Sequence, residues 1–155
     1  MKSRLALAKM EDLPAMKSLF EASIRQTCNQ DYSPEEIEAW LLSLKNKQRW
    51  EELIQNQIVW LALVEADLAG FCSLKDGHYL DFLYVLPDHQ GLGIAKQLVA
   101  AAIDETRKLG NTKISSDISI TARPFMEAQG WKVIRMNENP RADQTLINYR
   151  MELEL

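Results

Sequence analysis

Residues 79–85 (Tyr-Leu-Asp-Phe-Leu-Tyr-Val) read as a strand and residues 92–109 as a long amphipathic helix, and Gln90-Gly91-Leu92-Gly93-Ile94-Ala95 joins them. A strand that feeds a helix must return to its sheet. Residues 112–117 supply the returning strand, so the two strands are predicted to be parallel neighbours. The loop also carries chemistry. Its glycines let bare backbone N–H groups approach a ligand, and the helix N-terminus adds partial positive charge, which together make a seat for a phosphate or pyrophosphate. The spacing fits neither the three-glycine dinucleotide fingerprint nor the nucleotide loop ending in Gly-Lys-Ser/Thr. Taken alone, such a loop is equally well a tight connection with no ligand.

Around this unit, periodicity places the other elements. Residues 4–8 read as a strand, and Asp12-Leu13-Pro14 starts a helix with Leu13, Met16, Phe20 and Ile24 at helical spacing. Ser33-Pro34-Glu35-Glu36 is a capping box, followed by the stripe Ile37, Trp40, Leu41 and Leu44, with Trp50, Leu53 and Ile54 as a short extension. Residues 58–65 and 68–75 form a predicted hairpin through Ala66-Asp67, and Asp76-Gly77 leads into a third strand, 78–85, ended by Pro87. Residues 120–129 read as a short helix with Ser119 as candidate cap. Residues 131–137 and 144–152 close the chain as a hairpin. The order β-α-α-β-β-β-α-β-α-β-β predicts a mixed α/β (α+β) fold. Its sheet is mostly antiparallel and twisted, with a parallel pair at its centre and flanking helices. No repeat or linker interrupts it, so residues 1–155 are expected to form a single domain.

Composition narrows the functional classes. A net charge of -4 provides no basic surface overall, which argues against nucleic acid as a partner. No apolar run approaches the roughly 20 residues of a membrane span, and the N-terminus is too broken by charge for a secretory signal. No membrane association and a cytoplasmic location are therefore expected. Cys28 and Cys72 lack metal-ligand or disulfide-framework spacing, and His78 and His89 are the only histidines, so no metal site is expected.

Three segments resemble the GCN5-related N-acetyltransferase (GNAT) family, in the right order and over essentially the whole chain. Gln90, Gly93 and Ala95 stand at the defined positions of the family's Q/R-x-x-G-x-G/A loop. They lie in Leu83-Tyr84-Val85-Leu86-Pro87-Asp88-His89-Gln90-Gly91-Leu92-Gly93, which is similar to the family's LYV-x-P-x-x-Q-G-x-G segment. Ala122-Arg123-Pro124-Phe125-Met126-Glu127-Ala128-Gln129-Gly130-Trp131 resembles its A-x-x-F-Y-x-x-x-G-F segment. Tyr32-Ser33-Pro34-Glu35 with Trp40 is similar to the second-helix start of a bacterial branch of small members.

The resemblance implies a splayed central strand pair with acetyl-CoA, the acetyl donor, lying in the opening. Pantetheine amides would meet backbone groups near Leu83 and Val85. The pyrophosphate would meet N–H groups of Gln90, Gly91, Leu92, Gly93, Ile94, Ala95 and Lys96, and Lys96 adds a charged contact unless it is simply a solvated lysine. Ser119 replaces an asparagine common in the family, and Phe125 falls on the cofactor side of its segment. The family's usual tyrosine, whose hydroxyl can protonate the departing thiolate, is Met126 here and has no proton to give.

Direct acetyl transfer needs a neutral amine, a route for its proton and donors for the oxyanion, which backbone N–H groups can supply. Asp81 is the first candidate base, because it interrupts an apolar strand near the expected thioester; an ion pair is its competing role. His78 is the second, since imidazole titrates near neutral pH, although it adjoins a turn. Tyr84 lies on the opposite strand face from Asp81 by simple alternation, and becomes a candidate acid only if a bulge turns it. Residues 28–32, Trp40 and residues 138–143 are expected to shape the pocket of a small-molecule amine such as an amino sugar, polyamine or amino-acid derivative. A protein amine is the further option, and small members of the family are commonly homodimers. The rival reading is a non-catalytic acyl-CoA-binding module that kept the cleft and lost its acid.

Overall fold

The computed structural model of the chain describes residues 3–89 and 93–155. Its strands are β1 (Ser3–Leu7), β2 (Ile58–Val64), β3 (Asp67–Lys75), β4 (Tyr79–Val85), β5 (Lys113–Ser119), β6 (Lys132–Arg141) and β7 (Gln144–Glu154). They form one sheet in the order β1-β2-β3-β4-β5-β7-β6, antiparallel throughout except for the parallel β4–β5 pair. Helices α1 (Leu13–Thr27), α2 (Pro34–Leu41) and α3 (Lys47–Asn56) pack on one face. Helices α4 (Ile94–Lys108) and α5 (Arg123–Ala128) pack on the other. Among the described residues, no helix is long and apolar enough to cross a membrane.

The predicted mixed sheet with a central parallel pair is present, and the differences from the sequence reading are local. Trp50, Leu53 and Ile54 do not prolong the second helix. A 3-10 turn (Leu42–Lys45) intervenes, and the Asn46 side chain then accepts from the Arg49 N–H at 3.1 Å, capping α3 as a separate helix. The capping box at Ser33 forms as expected: Glu36 N–H donates to Ser33 Oγ at 3.1 Å, and Ser33 N–H to Glu36 Oε1 at 2.8 Å. The final hairpin is longer than predicted, because Pro140 sits on an edge strand where a missing donor is tolerated. Ser119 ends β5, and its Oγ accepts from the Ala122 N–H at 3.0 Å just before α5.

Two apolar cores flank the sheet. Phe20, Trp50, Phe71 and Phe82 fill the α1–α3 side, with Tyr84 packed edge-on to Phe20 at 4.7 Å between centroids. Leu80, Ile94, Leu98, Ile114, Ile118 and Met126 fill the α4–α5 side, where Cys72 is buried as a small hydrophobe.

A defect in this sheet positions the site. Cys72 pairs with Leu83 but Leu74 pairs with Leu80, so Asp81 and Phe82 together oppose Ser73 in a β-bulge. Buried Ser73 Oγ accepts from the Phe82 N–H at 3.1 Å, satisfying a donor that the ladder has lost. The bulge resets the alternation: Leu80, Leu83 and Val85 face α4, whereas Phe82 and Tyr84 face α1. On the other side of β4, pairing with β5 is confined to Tyr79–Ser115 and Leu80–Ser116, after which the strands part. Two side-chain bonds close the base of this opening. Ser116 Oγ donates to the Leu80 carbonyl and Tyr79 Oη to Asp117 Oδ2, both at 2.5 Å.

Gly70, opposite Val85, allows the close approach that this arrangement needs. A Cβ there would lie 2.9 Å from the Tyr84 carbonyl oxygen and 3.3 Å from Ile94 Cγ2. Gly70→Ala should therefore destabilise the fold by about 1–3 kcal/mol through overpacking, read as a lower urea midpoint. An unchanged midpoint would contradict the tight packing between β3, β4 and the start of α4.

Candidate active site

Where β4 and β5 part, the structure opens a cavity of about 970 Å³. One side is lined by Leu83, Val85, Gly93, Ile94, Ala95, Lys96, Ser119 and Phe125. The other is lined by Cys28, Tyr32, Trp40, Arg49, Asp81, Tyr84, Asn139, Arg141, Leu146 and Asn148. The predicted pocket segments around Cys28–Tyr32 and Trp40, and the tip of the last hairpin, therefore meet at the same opening. Trp40 is half-buried and both packs on the core and lines the cavity.

The start of α4 presents backbone N–H groups to the cavity. Gly93 precedes the helix in the left-handed region, with φ 75° and ψ 13°, and among the described residues no atom beyond its chain neighbours and the helix's own backbone lies within 4 Å of where its Cβ would stand. Among the described residues no side chain caps α4, whose Gln97 N–H bonds the Gly93 carbonyl at 3.0 Å. The N–H groups of Ile94, Ala95 and Lys96 thus have no intrahelical acceptor and sit at the positive end of the helix dipole. Lys96 is exposed beside them. Gln90, Gly91 and Leu92, the remaining residues assigned to this loop, lie outside the described residues.

The catalytic candidates separate. Arg49 grips both oxygens of Asp81, Nη1 to Oδ2 at 2.9 Å and Nη2 to Oδ1 at 3.0 Å, and Gln57 Nε2 donates to Oδ2 at 2.7 Å. The guanidinium and the Gln57 amide thus engage both carboxylate oxygens. The structure thus gives Asp81 the ion-pair role that competed with the base. His78 is exposed in the turn before β4 and does not line the cavity, so it is not brought to the site. His89, in the 3-10 turn Pro87–His89, lines the mouth.

Tyr84 is the candidate that the fold brings in. The bulge required for it is present and puts its ring on the same sheet face as Asp81. Burial, reinforced by Cys28 and Asp81, raises its hydroxyl well above an ordinary phenol, against a hydrogen bond from Trp40 that works the other way. The hydroxyl therefore stays protonated through the neutral range.

Arg49 and the network around Asp117 escaped the sequence reading, and so did the bonds made by Tyr32, which was expected only as part of the pocket segment. Arg49 was hidden because α3 read as a helix extension. Tyr32 Oη donates to the Ile147 carbonyl at 2.5 Å and accepts from the Ile120 N–H at 3.0 Å, pinning the α1–α2 loop to β7 and to the chain after β5. Burial pushes the Tyr32 hydroxyl up to about 12. Asp117 accepts from Arg150 Nε at 2.8 Å, Arg150 Nη2 at 2.9 Å and Asn137 Nδ2 at 2.8 Å, in addition to Tyr79. Asn148 Oδ1 extends this layer by accepting from Asn137 at 2.9 Å and Asn139 at 3.0 Å. The signal for it was the polar residues alternating along β5, β6 and β7.

Comparison with known proteins agrees with this geometry. Residues 28–155 match the family model described as an acetyltransferase (GNAT) domain. The uncharacterized N-acetyltransferase YafP of Escherichia coli (strain K12) is 32% identical over 124 residues, covering 80% of this chain and 77% of that protein. The crystal structure of a GCN5-related N-acetyltransferase (Aminotransferase, Class-II) from Rhodopseudomonas palustris is 27% identical. It superposes with a TM-score of 0.96 over 100% of this chain and 97% of that one. The PaiA N-acetyltransferase from Thermoplasma acidophilum, solved in complex with coenzyme A, superposes with a TM-score of 0.78 at 22% identity over 100% of both chains.

The Asp117 network yields a pH test. Burial by itself would raise the Asp117 carboxyl, but the donors Arg150 and Tyr79 outweigh it and hold the carboxyl below its usual value. A folded pKa below the unfolded value of about 3.9 contributes stability above that pH and loses it as pH falls through the folded pKa. Asp117→Asn should thus be less stable than the native chain at neutral pH, and the difference should shrink below about pH 4. Urea melts across that range read it, and a difference independent of pH would contradict the pairing.

Proposed function

The chain belongs to the GNAT acetyltransferase family, and from that premise we propose that it transfers the acetyl group of acetyl-CoA to the primary amine of a small-molecule acceptor by direct attack within the cavity. The observation that carries this reading is a coincidence of place. The end where the parallel strand pair parts opens onto a helix N-terminus that no described side chain caps, with room beside Gly93.

The residues fit the donor. The N–H groups of Ile94, Ala95 and Lys96 receive the pyrophosphate, with Lys96 adding a charge-assisted contact. Backbone groups of Leu83 and Val85 hold the pantetheine arm along β4, while Ser119 and Phe125 close the opposite wall. Acetyl-CoA supplies the activated thioester. Backbone N–H groups near the bulge stabilise the negative charge that develops on the carbonyl oxygen. Tyr84 Oη then donates its proton to the departing sulfur, and water in the open cavity takes the proton lost by the amine.

Such a chain does not need an acid at position 126. A thiol has a pKa of about 8.5, so its thiolate leaves readily. Met126 is fully buried and fills the α4–α5 core. Asp81 acts through its pairing with Arg49, fixing the bulge and α3 against each other.

Thiol release from acetyl-CoA with a panel of amines tests the activity, and calorimetry tests the donor site. Gly93→Val should remain folded and bind acetyl-CoA more than tenfold weaker, by about 1.4 kcal/mol or more. Tyr84→Phe should bind acetyl-CoA normally and lose about 10²-fold in kcat. Tight donor binding without turnover on any amine would replace the enzyme with a binding module.

A further inference from the structure

The charges that face the acceptor side of the cavity limit which amines it takes, given the transfer activity proposed above. Two acidic side chains line the cavity, Asp81 and Asp117. Both are already held in bidentate pairs, by Arg49 and Arg150. Among the described residues no other Asp or Glu lines it, and residues 90–92 contain none. Arg141 meanwhile is exposed at the hairpin end of the cavity, donates to the neighbouring Pro140 carbonyl at 2.7 Å, and makes no ion pair among the described residues. With Arg150 neutralising Asp117 from outside the lining, the charge left without an ion-pair partner on this side is the Arg141 guanidinium.

A second ammonium group on the acceptor would leave water to face guanidinium groups, with no free carboxylate to receive it. Flat apolar surface is instead available. Tyr32 and Leu146 are buried, Trp40 and Tyr84 are half-buried, and Tyr32 and Trp40 pack edge to face at 5.2 Å between centroids. Aromatic walls of this kind bind planar apolar groups.

We propose that the acceptor is a monoamine carried on an aromatic body, with no second positive charge, and that any further charge it bears is negative and directed at Arg141. The step balances without a further reactant. The amine nitrogen forms the bond to the acetyl carbon, the carbon–sulfur bond breaks, and one amine proton is matched by the proton gained at sulfur. Polyamines and amino sugars, which the sequence alone allowed, are disfavoured.

The test is thiol release by the full chain with saturating acetyl-CoA and one of four amines: 2-phenylethylamine, phenylalanine, spermidine or kanamycin. At least one of the two aromatic amines should exceed spermidine and kanamycin by about tenfold or more in kcat/KM. Equal or greater kcat/KM for spermidine or kanamycin would overturn the proposal.

Arg49→Met, which leaves Asp81 unpaired, should raise spermidine relative to 2-phenylethylamine by about tenfold if the paired carboxylates set the preference. An unchanged ratio in the folded variant contradicts it. Trp40→Leu should raise KM for 2-phenylethylamine while leaving acetyl-CoA affinity unchanged, and an unchanged KM contradicts the aromatic wall. If no amine is turned over, the transfer reading fails separately. Calorimetry of the CoA-loaded chain with 2-phenylethylamine and spermidine then decides the preference, and tighter spermidine binding would overturn it.

Discussion

Beyond Leu80 and Ser116 no ladder joins β4 to β5, and side chains take over the bridging where the sheet divides. Ser116 ties itself to the Leu80 carbonyl, and Tyr79 reaches Asp117, which Arg150 fixes to β7. Tyr32 spans the far side by binding Ile147 and Ile120 together. Each neutral hydrogen bond contributes on the order of 1 kcal/mol, and those to the Asp117 carboxylate about 1.5–3 kcal/mol. Their larger effect is geometric. They let two central strands separate without separating the two halves of the sheet, so that a ligand-sized opening forms in the middle of a packed domain.

The bulge at Asp81 and Phe82 is the second consequence of the same strand. One extra residue turns Tyr84 to the side of Asp81, which the unbroken alternation would forbid. It also brings Asp81 within reach of Arg49, whose guanidinium lies 4.7 Å from the centre of the Phe82 ring. The carboxylate that the sequence offered as a base is thereby held in an ion pair, and the Tyr84 ring is left lining the cavity. Which side chains meet at this site follows from register more than from residue type.

That distinction explains what was legible in advance. The element order, the Ser33 capping box and the parallel pair followed from local signals: spacing, caps and turns. The glycine loop and the Ala122–Trp131 segment carried the family resemblance. The bulge was not legible, because counting alternate residues assumes an intact register, and nothing in Leu80-Asp81-Phe82-Leu83 marks the extra one. The separate helix α3 was missed because its cap, Asn46, follows a 3-10 turn that continues the helical apolar spacing. His78 looked suitable by chemistry but sits before β4 begins, where Asp76-Gly77 turns it outward. The arginine pairs of Asp81 and Asp117 join residues 32 and 33 positions apart, a separation that no local pattern reports.

If the divided strands and the start of α4 together form the donor site, coenzyme A should alter both at once. Amide hydrogen exchange, followed with and without saturating acetyl-CoA, reads this directly. The account predicts added protection in two places, along Leu83–Val85 of β4 and at Ile94–Lys96 of α4, with β1 and the β6–β7 turn unchanged. Protection confined to another part of the surface, or none at either segment while the ligand is bound, would contradict it.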